Sequence, residues 1–113
     1  MSLAWKVMMS AQQSTSSTEV YILGEYHVRP GFEDRVRASL IAHEARTRTE
    51  PGCLDASVHQ DLEDPRRLFS LQRWASPAAL ETHRALPHVR DMDGRASEVL
   101  ERPFTLTVLR AGR

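Results

Sequence analysis

Cysteine is nearly absent from this 113-residue chain. The single Cys53 excludes an internal disulfide and fits a reducing, cytoplasmic setting. An excess of either charge is missing too. Fifteen basic residues cancel fifteen acidic ones, which removes the electrostatic argument for nucleic acid or an anionic membrane as partner. No apolar run is long enough to span a bilayer. Ala4-Trp5-Lys6-Val7-Met8-Met9 is too short, and interrupted by Lys6, for a secretory signal. There is no phosphate-cradling glycine loop and no dinucleotide fingerprint. No histidine pair stands at four-residue helical spacing with an acidic helper, and a second cysteine is lacking. Neither a metal site nor a cofactor site is therefore expected.

What remains is ordinary globular material: 41% hydrophobic and 27% charged residues, enough for one domain with a modest core. Residues 1–18 read as a tail, since Ser10 to Thr18 is rich in Ser, Thr and Gln; residues 19–113 read as a single domain. Glu19 to Val28 alternates and is rich in β-formers, which predicts a strand. Arg29-Pro30-Gly31 turns the chain. From Phe32 to Thr49 the period becomes helical, with Phe32, Val36, Leu40, His43 and Thr47 on one face and Glu33, Arg37, Glu44 and Arg48 elsewhere. Glu50-Pro51-Gly52 then stops the helix and reverses the chain, because Pro51 cannot continue a helix and Gly52 tolerates unusual backbone angles. Cys53 to Gln60 and Arg66 to Trp74 predict two strands joined by the polar turn Asp61 to Pro65. Ser76-Pro77 opens a short helix that Pro87 breaks. A further helical segment reaches about Glu101, and Phe104 to Leu109 is a last strand. The order βαββαβ predicts an α+β, ferredoxin-like fold: one antiparallel sheet with helices on one face. The bare face of such a sheet needs a partner, and the simplest is a second copy.

Five histidines are more than packing requires. His43 continues the apolar stripe of its helix and should point toward the sheet. It is a candidate general base, since imidazole titrates near neutrality; a core histidine satisfied by one hydrogen bond is the competing reading. His88 stands just after Pro87, where a helix start leaves free N–H groups that attract an oxygen anion; it is the second catalytic candidate. His83 reads first as a surface residue, and otherwise as a substrate contact. Trp74 ends a strand, as a core residue or an aromatic wall of a pocket. Phe32 and Met92 lie on faces that would line the same pocket.

Several motifs stand in a distinctive order: Val28-Arg29-Pro30-Gly31, Glu50-Pro51-Gly52-Cys53-Leu54, Gln72-Arg73-Trp74, Ala79-Leu80-Glu81-Thr82-His83 and Leu86-Pro87-His88-Val89. In that order they resemble the antibiotic biosynthesis monooxygenase family over Val20 to about Leu109. The resemblance implies a homodimeric α+β barrel and a cofactor-free monooxygenase that brings O₂ to an aromatic or quinol-type molecule. It also implies two alternatives: a proton-transfer isomerase on a small keto or enol substrate, and a non-catalytic dimeric ligand-binding module. Haem-degrading members of the family use an Asn and an axial His where this chain has Gly24 and Asp93, so haem ligation in that mode lacks its imidazole.

Overall fold

The protein is described here by a computed structural model that covers residues 18–112. The apolar segment Ala4 to Met9 and all of the expected tail except Thr18 lie outside the described residues. The elements are β1 (Val20–His27), α1 (Glu33–Thr47), β2 (Cys53–Gln60), β3 (Arg67–Trp74), α2 (Pro77–Arg84), α3 (Pro87–Arg95), a 3₁₀ turn (Ala96–Glu98) and β4 (Thr105–Leu109). They form one sheet in the order β2-β3-β1-β4, with every neighbouring pair antiparallel. β1 and β2 therefore run parallel with β3 between them, as the expected ferredoxin-like arrangement requires. The last helical segment ends sooner than its periodicity suggested, at Arg95, and passes into the 3₁₀ turn. No helix among the described residues is long and apolar enough to cross a membrane.

Alternation decides which side of the sheet is covered. Val20, Ile22 and Gly24 of β1 are buried, as are Leu68, Ser70, Gln72 and Trp74 of β3. Residue pairing places these on a common face, and that face meets the helices. Gly31 adopts φ 91°, a left-handed turn that sends the chain from β1 into α1. Phe32 caps α1 without a side-chain bond rather than starting it, and Glu33 and Asp34 sit in the first turn, where they complement the helix dipole.

The buried residues of α1 are Val36, Leu40, Glu44 and Thr47. This corrects the expected pattern, which put Glu44 on an outer face: Glu44 is 2% exposed, while His43 is half-buried. The reason is geometric. Steps of four, four and three residues keep one helical face in register, and position 44 lies on it.

After α1 the corner at Glu50-Pro51-Gly52 forms as expected. Gly52 has φ 85°, and a Cβ there would stand 2.5 Å from the Ala79 Cβ. Only glycine suits both demands, so the corner also sets how closely α2 approaches. A bulge between Cys53 and Asp55 breaks the alternation of β2 at Leu54. The β2–β3 turn closes on Asp61, whose Oδ1 accepts from the Glu63 and Asp64 N–H groups at 2.8 and 3.0 Å; those bonds hold its carboxyl below the usual range. Ser76 caps α2, accepting from Ala79 N at 3.2 Å, and Pro77 occupies the first turn. Two buried clusters result. Val28, Val36, Leu40, Leu68 and Leu100 form one, and Val20, Ile22, Trp74 and Leu80 the other.

Candidate functional site

Residues of both core clusters border a cavity of about 330 Å³ between the sheet and the helices. Ile22, Val36, Leu40, Leu100 and Phe104 supply an apolar wall, and His43, Glu44, Gln72 and His83 a polar one. The volume falls at the lower end of small-molecule pockets.

Three helices and the corner gather three histidines and Glu50 beside this polar wall. His43 projects from α1, His83 from α2 and His88 from α3, with the His43 ring 6.1 Å from that of His83 and 5.7 Å from that of His88. Glu50, held by the corner, lies between the last two. Its Oε1 is 2.8 Å from His83 Nδ1, and its Oε2 faces His88 Nε2 at 3.8 Å. A carboxylate on Nδ1 fixes the ring and tautomer of His83 and leaves Nε2 as its other functional nitrogen. Glu50 Oε2 and His88 Nε2 are both buried without a hydrogen-bond partner among the described residues. Burial, followed by the neighbouring His83 and His88, pushes the His43 imidazole down to about 4, against the pull of Glu50. His43 is thus neutral at pH 7.

A second chain of contacts runs behind it. The Trp74 indole N–H donates to Gln72 Oε1 at 3.0 Å. The Gln72 amide N–H in turn donates to Glu44 Oε1 at 2.8 Å. All three residues are buried. Because an indole only donates, the Gln72 amide has one possible orientation. Burial pushes the Glu44 carboxyl up to about 7, against the Gln72 bond and the nearby Arg48.

Of the residues expected at a site, His43, His83 and Met92 border the cavity, whereas His88, Trp74 and Phe32 do not. Trp74 is fully buried, with its ring 4.8 Å from that of His83. Phe32 packs against the first core cluster. His83 is 5% exposed, which corrects its reading as a surface residue; its partner Glu50 lies 33 positions earlier, out of reach of local pattern. His59 is exposed and bonds Ser57. Cys53 is no nucleophile candidate, because burial pushes its thiol up. Sequence reasoning missed Glu44, Gln72 and Glu50. For Glu44 a signal existed, its four-residue step from Leu40. No group of described residues has a metal-binding arrangement.

Comparison with known proteins gives a consistent result. The profile of the antibiotic biosynthesis monooxygenase family matches residues 19–95. A protein of Mycobacterium tuberculosis named "Putative monooxygenase Rv0793" is 31% identical over 93 residues, 82% of this chain and 91% of that protein. Its solved structure superposes with a TM-score of 0.77, covering 85% of this chain and 97% of that one. PA3566 from Pseudomonas aeruginosa, 27% identical, has a TM-score of 0.75 over 87% of this chain and 98% of its own.

Proposed function

This chain belongs to the antibiotic biosynthesis monooxygenase family, and from that premise we infer a cofactor-independent monooxygenase acting on an aromatic, quinol-type molecule held in the cavity. The observation that carries this reading is the pairing of an apolar wall with His43, a neutral imidazole held at the cavity edge. A phenol or enolisable aromatic bound against Val36 and Leu40 gives its O–H proton to His43. His88, one imidazole further out, passes that proton toward Glu50. The anion left behind is electron-rich enough to reduce O₂ in a space that excludes water. The substrate supplies all four electrons: one oxygen atom ends on its carbon, and the other leaves as water. His83, fixed by Glu50, contacts the substrate from α2 and Met92 from α3. The working unit is a homodimer whose sheets face each other.

Oxygen uptake tests the reading. A panel of hydroquinones and polycyclic phenols is expected to include a compound that consumes one O₂ per turnover and incorporates one labelled atom from ¹⁸O₂. Isomerisation of a substrate without oxygen uptake would replace the monooxygenase by the proton-transfer reading. Ligand binding without turnover of any kind would leave a binding module.

A further inference from the structure

Glu44 has no role in the proton path just described, yet it is one of the most buried side chains of the protein and borders the cavity. We propose that Glu44 is a second catalytic residue, a neutral carboxylic acid whose O–H donates a hydrogen bond to the oxygen anion of a bound phenolate. The inference rests on the reading of the cavity as a phenol-binding site.

The geometry specifies the donor. Trp74 fixes the Gln72 amide so that its N–H, never its carbonyl, meets Glu44 Oε1 at 2.8 Å. One carboxyl oxygen is thereby committed as an acceptor. A proton on this carboxyl therefore belongs on the other oxygen, where it can be donated. A buried carboxylate with a single neutral donor is poorly compensated, so the acid form is favoured at and below neutral pH. Two adjacent residues of α1 then divide the work: His43 accepts the substrate proton, and Glu44 stabilises the oxygen that lost it. The Glu44 O–H bond stays intact throughout, so the proton count is unchanged. Stabilising a developing oxyanion from a preorganised donor in a dry site is where such a bond counts most.

The charged and titratable groups that act on Glu44 or share its cavity are Arg35 and His43 on α1, Arg48 at its C-terminal cap, Glu50 at the corner, Tyr26 on β1, Cys53 on β2, His83 and Arg84 on α2, Arg95 on α3 and Glu98 in the 3₁₀ turn. β3 contributes the uncharged Gln72. As Glu44 loses its proton near pH 7, the cavity acquires a carboxylate that repels the anion it served.

The test uses the full chain and 2,4-dinitrophenol, a phenolate throughout the range, with affinity measured by calorimetry from pH 6 to 9. For the wild type, affinity should fall by about tenfold or more toward pH 9, the limit being tenfold per pH unit for one required proton. Glu44→Gln keeps a neutral N–H donor at all pH, so its affinity should match the wild type at pH 6 and lose much less by pH 9. The two proteins differ only at position 44, so any pH effect common to both cancels in the comparison. A flat wild-type profile overturns the proposal, even should the variant fail to fold, and so does a variant profile that falls in parallel. Absence of binding by either protein at pH 6 removes the phenol-binding reading itself and the proposal with it.

Discussion

His43 and Glu44 are neighbours in sequence, yet burial moves their protonation in opposite directions. The imidazole is pushed from 6.5 to about 4 and the carboxyl from 4.5 to about 7. The consequences for stability also oppose each other. Between pH 6.5 and 4 the unfolded chain binds a proton at His43 that the folded one refuses, so the His43 contribution is complete above 6.5 and is lost as pH falls toward 4. Between pH 4.5 and 7 the folded chain keeps a proton on Glu44 that the unfolded one releases, so that contribution is complete below 4.5 and is lost as pH rises through 7. His43→Gln should therefore flatten the acid side of a melting-temperature profile. The same variant should lower turnover on an accepted substrate by roughly 10²–10⁴-fold, the usual cost of a missing general base. A flattened acid side with unchanged turnover would make His43 a core residue only. This residue-scale part of the site was half legible. A histidine on an apolar stripe can be read from helical spacing. Spacing also puts Glu44 on the stripe, but that its carboxyl stays buried follows only once the neighbour able to satisfy it is known, and Gln72 comes 28 positions later. The pairing of His83 with Glu50 escaped for the same reason: it depends on how α2 docks, which no local pattern encodes.

At the scale of elements, the order and type of strands and helices were legible because each boundary carries its own chemistry. Ser76 and Pro77 start α2, Pro87 separates α2 from α3, and Asp61 closes the hairpin. The misses arose where tertiary contact decides: the bulge at Leu54, the 3₁₀ turn that ends the last helical segment, and the inward turn of Glu44. The residues just after the 3₁₀ turn are tied to the end of β1 and the two residues beyond it: Glu101 N–H donates to His27 O, Arg29 N–H donates to Val99 O, and Val28 bridges Leu100. The corner at Gly52 is where element geometry reaches the site. It holds Glu50 on one side and touches α2, which carries His83, on the other. Gly52→Ala must adopt φ 85° with a side chain and also place its Cβ 2.5 Å from that of Ala79. Each penalty is on the order of 1–3 kcal/mol. The variant should lose about 2 kcal/mol or more in chemical denaturation. Displacement of α2 should also change the nitrogen and ring-proton NMR signals of His83, which report its bond to Glu50. A loss within a few tenths of a kcal/mol, with those signals unmoved, would show that the corner yields without disturbing the site.

For the whole molecule, the helices cover one face of the sheet and leave the other to be explained. Across that face the pairing aligns Leu71 with Leu23, Arg73 with Tyr21, and Tyr21 with Leu109. Apolar side chains at its centre are flanked by Arg67 and Glu25, an ion pair at 3.1 Å, with the Arg67 guanidinium over the Phe69 ring at 4.9 Å. An apolar centre with a charged rim is the composition of a protein interface. β4 is an edge strand whose five residues are all exposed; Leu109, 40% exposed and paired with Tyr21, extends this face, whereas Leu106 and Val108 pair with Gly24 and Ile22 on the helix side. A second copy related by a two-fold axis would set Leu23, Phe69 and Leu71 against the same residues of its partner, since such a contact is self-complementary. An interface of about 1,600 Å² in total is the standard size for a stable pair. Light scattering at micromolar concentration should accordingly give twice the chain mass of 12.8 kDa. Leu71→Asp places a carboxylate at the centre of the face twice over, once from each copy, without touching the helix-covered side that holds the cavity. It should shift the mass to 12.8 kDa while far-UV circular dichroism keeps its α+β form. A wild-type chain that scatters as a monomer would defeat the dimer. A Leu71→Asp variant that stays dimeric would move the contact from this face to the exposed edge at β4.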